Sequence, residues 1–122
     1  MKRNHGVAVV PKLGKGFITD GGTNEVVIFD LKTLKTTGRV KTVPGPDSII
    51  YDPASQRIFS FNGQGKDATV IDPKSETVVG TIPLGGTPEF AVADGKGTVY
   101  DNIEKTSEVA VIDSRAASRE RF

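Results

Sequence analysis

Oxygen-bearing side chains recur in this chain at spacings that one site can use. Asp20, Asn62 and Asn102 stand at the ends of three short apolar runs, while Asn4 and His5, Asp47 and Glu89 stand just ahead of three others. Carboxylate and amide oxygens suit a hard divalent cation, and His5, the sole histidine, suits proton transfer near neutral pH. The same residue types also have a purely structural use, because Asp and Asn at strand ends accept hydrogen bonds from the amides of the turn that follows. Asp30, Asp72 and Asp113 belong to that second kind. Each closes a near-identical pentapeptide, and a catalytic group is needed once, not three times.

Several chemistries are absent from the chain. There is no cysteine, which removes disulfides, thiolate zinc sites and thiol nucleophiles. Gly21-Gly22 and Gly63-x-Gly65 are not followed by a helical pattern or a Walker lysine, so they read as hairpin turns and not phosphate loops. No His-Glu-x-x-His or Gly-x-Ser-x-Gly pattern occurs, and no cofactor is expected. The 16 basic and 15 acidic residues leave a formal charge of +1, far from the basic excess of a phosphate-tracking surface. Tyr51 and Tyr100 are the only tyrosines and there is no Trp, so a stacking platform for single-stranded nucleic acid is poorly supplied. No apolar run approaches the roughly 18 residues of a membrane helix, nor does one follow His5 as in a signal peptide. A soluble chain without a membrane partner is expected.

The elements that must position these residues are set by an internal repeat. Val26-Val27-Ile28-Phe29-Asp30 returns as Ala68-Thr69-Val70-Ile71-Asp72 and as Val109-Ala110-Val111-Ile112-Asp113, steps of 42 and 41 residues. Phe17 and Phe59, Gly38 and Gly80, Pro11 and Pro53, and Pro46 and Pro88 keep the same step. Each unit reads as four strands; in the second they are 48–51, 57–61, 68–71 and 77–82, separated by Gly, Pro, Asp and Asn. A period of 40–45 residues with four strands per unit marks a β-propeller blade. The expected fold is therefore all-β: three tandem blades of four-stranded antiparallel sheet in an incomplete ring, at 4–45, 46–87 and 88–122. Counting from Asp113, the third blade runs out of sequence before most of its outer strand.

The pattern Pro46 … Ile58-Phe59-Ser60-Phe61-Asn62 … Val70-Ile71-Asp72-Pro73-Lys74-Ser75 … Val79-Gly80-Thr81-Ile82-Pro83-Leu84-Gly85 resembles the YVTN-repeat, YncE-like β-propeller proteins, and the likeness covers nearly the whole chain. Asp20 departs from the strand-end Asn, and Ala116 from the turn Thr. The resemblance implies blades of a longer propeller, typically of about seven, and a periplasmic or extracellular location. It implies little about activity, since propellers host many functions.

The resulting expectation is a non-enzymatic binding or scaffold module, with His5, Asp20, Asp47, Asn62, Glu89 and Asn102 at the mouth of a central channel. One alternative is a metal-assisted, lactonase-like hydrolase with a cation held at the axis by the acidic and amide members of that set; another is single-strand nucleic-acid binding. Because a blade must cover both faces, the end blades are expected to associate, as a three-plus-three ring of two copies or with missing blades of a longer parent chain.

Overall fold

The computed structural model describes residues 4–116 and 118–121. Twelve strands form three sheets of four. Sheet I holds β1 (Asn4–Val10), β2 (Lys15–Asp20), β3 (Glu25–Asp30) and β4 (Thr36–Lys41). Sheet II holds β5 (Pro46–Asp52), β6 (Arg57–Asn62), β7 (Asp67–Asp72) and β8 (Thr77–Pro83). Sheet III holds β9 (Pro88–Ala93), β10 (Thr98–Ile103), β11 (Glu108–Asp113) and β12 (Ser118–Arg121). Every neighbouring pair is antiparallel and consecutive in sequence. These are the blades of a β-propeller. β12 pairs with β11 through four residues, so the third blade does carry an outer strand, shorter than the six of β4 and the seven of β8. Among the described residues no helix is long and apolar enough to cross a membrane.

Alternation along the strands explains the stacking. In β6, Ile58 joins the cluster shared with sheet I, while Phe59 and Phe61 join the cluster shared with sheet III. β7 divides in the same way, with Ile71 toward sheet I and Ala68 and Val70 toward sheet III. Period-2 side chains on a sheet buried from both sides give just this split. Sheet I contributes Phe17, Val26 and Ile28 to the first cluster, and sheet III contributes Val99, Ala110 and Ile112 to the second. A fully buried Phe such as Phe59 contributes about 1.5–3 kcal/mol by leaving water. The innermost strands β1, β5 and β9 lie side by side, and their N-terminal ends share one end of the stack with the C-terminal ends of β2, β6 and β10.

Each of the repeated aspartates closes the turn after its third strand. One carboxylate oxygen of Asp30 accepts from the amides of Lys32 (2.8 Å) and Thr33 (2.9 Å). Asp72 does the same for Lys74 (2.8 Å) and Ser75 (3.5 Å), and Asp113 for Arg115 and Ala116 (both 3.1 Å). Those bonds hold the Asp30 carboxyl below the usual carboxylate range, with the Thr33 amide the largest cause.

Candidate functional site

One irregularity recurs in all three blades and places the ionisable residues. Each innermost strand pairs regularly with its neighbour until its N-terminal end, where two residues stand opposite one. His5-Gly6 oppose Thr19, Asp47-Ser48 oppose Phe61, and Glu89-Phe90 oppose Asn102. This is a β-bulge, which re-aims side chains at a sheet rim. His5, Asp47 and Glu89 thus occupy a single structural position three times over, all exposed at the same end of the stack. His5 and Asp47 meet across sheets I and II, Nδ1 to Oδ1 at 3.5 Å.

The bulge leaves its second amide without a ladder partner, and the opposing side chain supplies one. Thr19 Oγ1 accepts from the Gly6 amide at 3.0 Å and donates to the Asp47 carbonyl of the next sheet at 2.6 Å. Asn102 Oδ1 accepts from the Phe90 amide at 3.1 Å. The Phe61 side chain has no polar atom to offer, and Ser48 Oγ is buried without a partner among the described residues.

This geometry revises one of the sequence expectations. Asn102 is not the counterpart of Asp20 and Asn62. The residue paired as they are, at the strand end, is Ile103, whose side chain lies in the core between sheets II and III. Asn102 sits one position earlier, and a one-residue offset turns a strand side chain to the opposite face. Five residues separate the paired Ala93 and Val99, against six between the equivalent pair Tyr51 and Ile58, so the turn that leads into β10 is one residue tighter and shifts everything after it.

Asp20 and Asn62 do share a position, but both are fully buried. Asp20 Oδ1 accepts from the Gly22 amide at 3.0 Å. Asn62 Nδ2 donates to Asp67 Oδ1 (2.9 Å) and Thr69 Oγ1 (2.8 Å), and its Oδ1 accepts from Ser60 Oγ (3.3 Å). Of the six residues expected at the mouth, then, His5, Asp47 and Glu89 are displayed together, while Asp20, Asn62 and Asn102 hold the frame.

A groove of about 460 Å3 opens beside the first two of these, between His5, Asp47, Gln64, Lys66 and Thr87. Its floor is backbone. Gly45 has φ +80°, and a side chain there would strike the Gln64 amide. The Gly63 amide donates to the Gly45 carbonyl at 2.8 Å, and the Gly65 amide to the Pro44 carbonyl at 3.0 Å. The linker between blades is therefore tied to the turn beneath it, which gives the groove a fixed shape.

Asp101 was not among the expected site residues. It lies on β10 facing sheet II, flanked on its own sheet by Ala91, Val99, Ile103 and Ala110, all members of the apolar cluster. It is fully buried, and among the described residues neither carboxylate oxygen has a hydrogen-bond partner. Burial, with the like charge of Glu89 as a smaller cause, pushes its pKa up to about 7. Ile18 and Ser60 hold the same position in the other blades, so aligning the three β2-type strands by register would have exposed the oddity.

No family model matches the chain. It is 27% identical over 95 residues to a Salmonella typhi protein named "Uncharacterized protein YncE", covering 76% of this chain and 26% of that one. Its fold is similar to the hydrazine synthase of Kuenenia stuttgartiensis (TM-score 0.87, 20% identity, 99% of this chain and 36% of that one). It is also similar to the dihydro-heme d1 dehydrogenase NirN in complex with DHE (TM-score 0.81, 15% identity, 99% and 28%). The chain spans about a quarter to a third of the length of these proteins. The structural likenesses carry the propeller architecture alone.

Proposed function

We propose that the chain is a non-enzymatic recognition or scaffold module of the YVTN-repeat, YncE-like kind, which takes its ligand at the rim where the bulges lie. The observation that carries this reading is the triple use of one position: His5, Asp47 and Glu89 sit on the same bulge in successive blades, exposed at one end of the stack, the first two beside a groove floored by backbone. Polar groups on a rigid concave frame are the usual makings of a binding site. Titration of the 15N-labelled protein with peptides, oligosaccharides and single-stranded DNA is expected to give saturable amide shifts at His5, Asp47 and Gln64 for one of these classes. The double variant Asp47→Asn, Glu89→Gln should then weaken binding about tenfold or more, roughly 1.4 kcal/mol. No saturable shift with any class would contradict the reading.

The hydrolase alternative needs its oxygen donors gathered, and the geometry disperses them. Asp20 is buried and accepts from the Gly22 amide, Asn62 is spent on Asp67 and Thr69, and Asn102 caps a bulge from the far face of sheet III. A calcium titration is expected to show neither heat nor a rise in melting temperature. For nucleic acid, Tyr51 packs against the cluster between sheets I and II while Tyr100 faces away from sheet II, so the two rings share no platform.

The same reading extends to assembly. Phe90 (69% exposed), Val92, Tyr100 and Val109 occupy in sheet III the positions that Ser48, Ile50, Phe59 and Ala68 occupy in sheet II, where they face the next blade. Val7 (60% exposed) and Val9 stand on the opposite outer face, on sheet I. Further blades are expected on both, from a longer polypeptide or from a second copy.

A further inference from the structure

The other end of the stack, where the first strand of each blade turns into the second and the third into the fourth, holds a groove of a different character. It lies between sheets I and II and encloses about 470 Å3, within the roughly 300–1,000 Å3 of small-molecule sites. One part of its wall is apolar: Val10 and Leu13 from the first turn of blade I, Tyr51 at the end of β5, and Pro73.

The rest is cationic. Lys12, Arg57 and Lys74 all border the groove, and among the described residues none of the three has a carboxylate within ion-pair distance. Asp72 is the one acid in the wall, and one of its oxygens is already spent on the Lys74 and Ser75 amides. Glu76, in the same turn, is taken by Lys15 at 2.7 Å. Arg57 turns its guanidinium toward sheet III, where its Nη1 donates to the carbonyls of Ser114 (3.3 Å) and Arg115 (3.2 Å) in the turn after β11, so the cations left for a ligand are the two lysines. Lys12 and Lys74, with no carboxylate partner among the described residues, beside one concave, partly apolar pocket favour a negatively charged occupant.

We propose that this groove binds a small amphipathic anion, a carboxylate or phosphate ester carried on an aromatic or short aliphatic body. The body lies against Leu13, Tyr51 and Pro73, and the anion faces Lys12 and Lys74. The site is independent of the rim at the opposite end, and either can fail without the other.

Phenyl phosphate is the direct test, by calorimetry and by amide shifts at low salt. Saturable binding is expected, with shifts concentrated at Leu13, Tyr51 and Lys74, and with affinity falling as salt is added. Inorganic phosphate, phenol and benzylamine should each bind at least tenfold more weakly. The double variant Lys12→Met, Lys74→Met should lose tenfold or more; both side chains are exposed and neither holds the sheets together, so its melting temperature should match the parent's. Absence of binding, equal affinity for any of the three comparison compounds, shifts scattered elsewhere, or a double variant that binds like the parent would each overturn the proposal.

Discussion

Asp101 stands where an aliphatic side chain would pack without electrostatic cost, and its environment makes stability depend on pH. An unfolded-chain aspartate has a pKa near 3.8, while in the fold the value is about 7. Between those values the native state holds the extra proton, so stability falls as pH rises across that window and levels off above it. At about 1.4 kcal/mol per pH unit the full effect is on the order of 4 kcal/mol. Urea midpoints are expected to be higher at pH 5 than at pH 8, and Asp101→Asn should remove most of that difference. Equal midpoints for the parent at both pH values would contradict the placement of this carboxyl in the apolar interface. Little of this was legible in the sequence, because the shortened turn before β10 hides which strand position Asp101 fills and therefore which way it faces. Asp30, Asp72 and Asp113 were legible, since turn chemistry is local and repeats with the unit.

At the scale of elements, a pair of struts locks each blade to the next. Lys15, the first residue of β2, reaches the Pro73 carbonyl at 2.9 Å and the Glu76 carboxylate at 2.7 Å in sheet II. Arg57, the first residue of β6, makes the corresponding reach to the Ser114 and Arg115 carbonyls in sheet III. The third member of the series is Thr98, whose side chain is too short for the task. Lys15→Met and Arg57→Met keep the aliphatic stem and lose the donor; each is expected to lower unfolding free energy by about 1.5 kcal/mol, the lower end of the range for hydrogen bonds from charged groups. Thr98→Ala should change it by less than about 0.5 kcal/mol, the usual range for a surface substitution. Chemical denaturation of the three variants checks the series, and equal losses at all three positions would count against the struts. The strands themselves were readable, because β-branched runs between Gly, Pro and Asp recur with one period. The bulges were not, since their signal is a missing pairing and not a residue type.

Across the whole molecule, the repeat decides both what is buried and what is left open. Sheet II is covered on both faces and supplies its fully buried Phe59, Phe61, Ile58 and Ile71 in alternation. Sheets I and III each have one such face turned outward, with Val7 and Val9 on one and Phe90, Val92, Tyr100 and Val109 on the other. Exposed apolar surface of this kind has an affinity for the complementary face, at about 25 cal/mol per Å2 of area removed from water. The interfaces inside the chain already show that complementarity twice. Sedimentation equilibrium on the 122-residue chain at micromolar concentration tests it most directly. A mass well above the 13.0 kDa of one chain is expected, reduced by Phe90→Ser with Val92→Ser. A parent protein that sediments as a single 13.0 kDa species would contradict it.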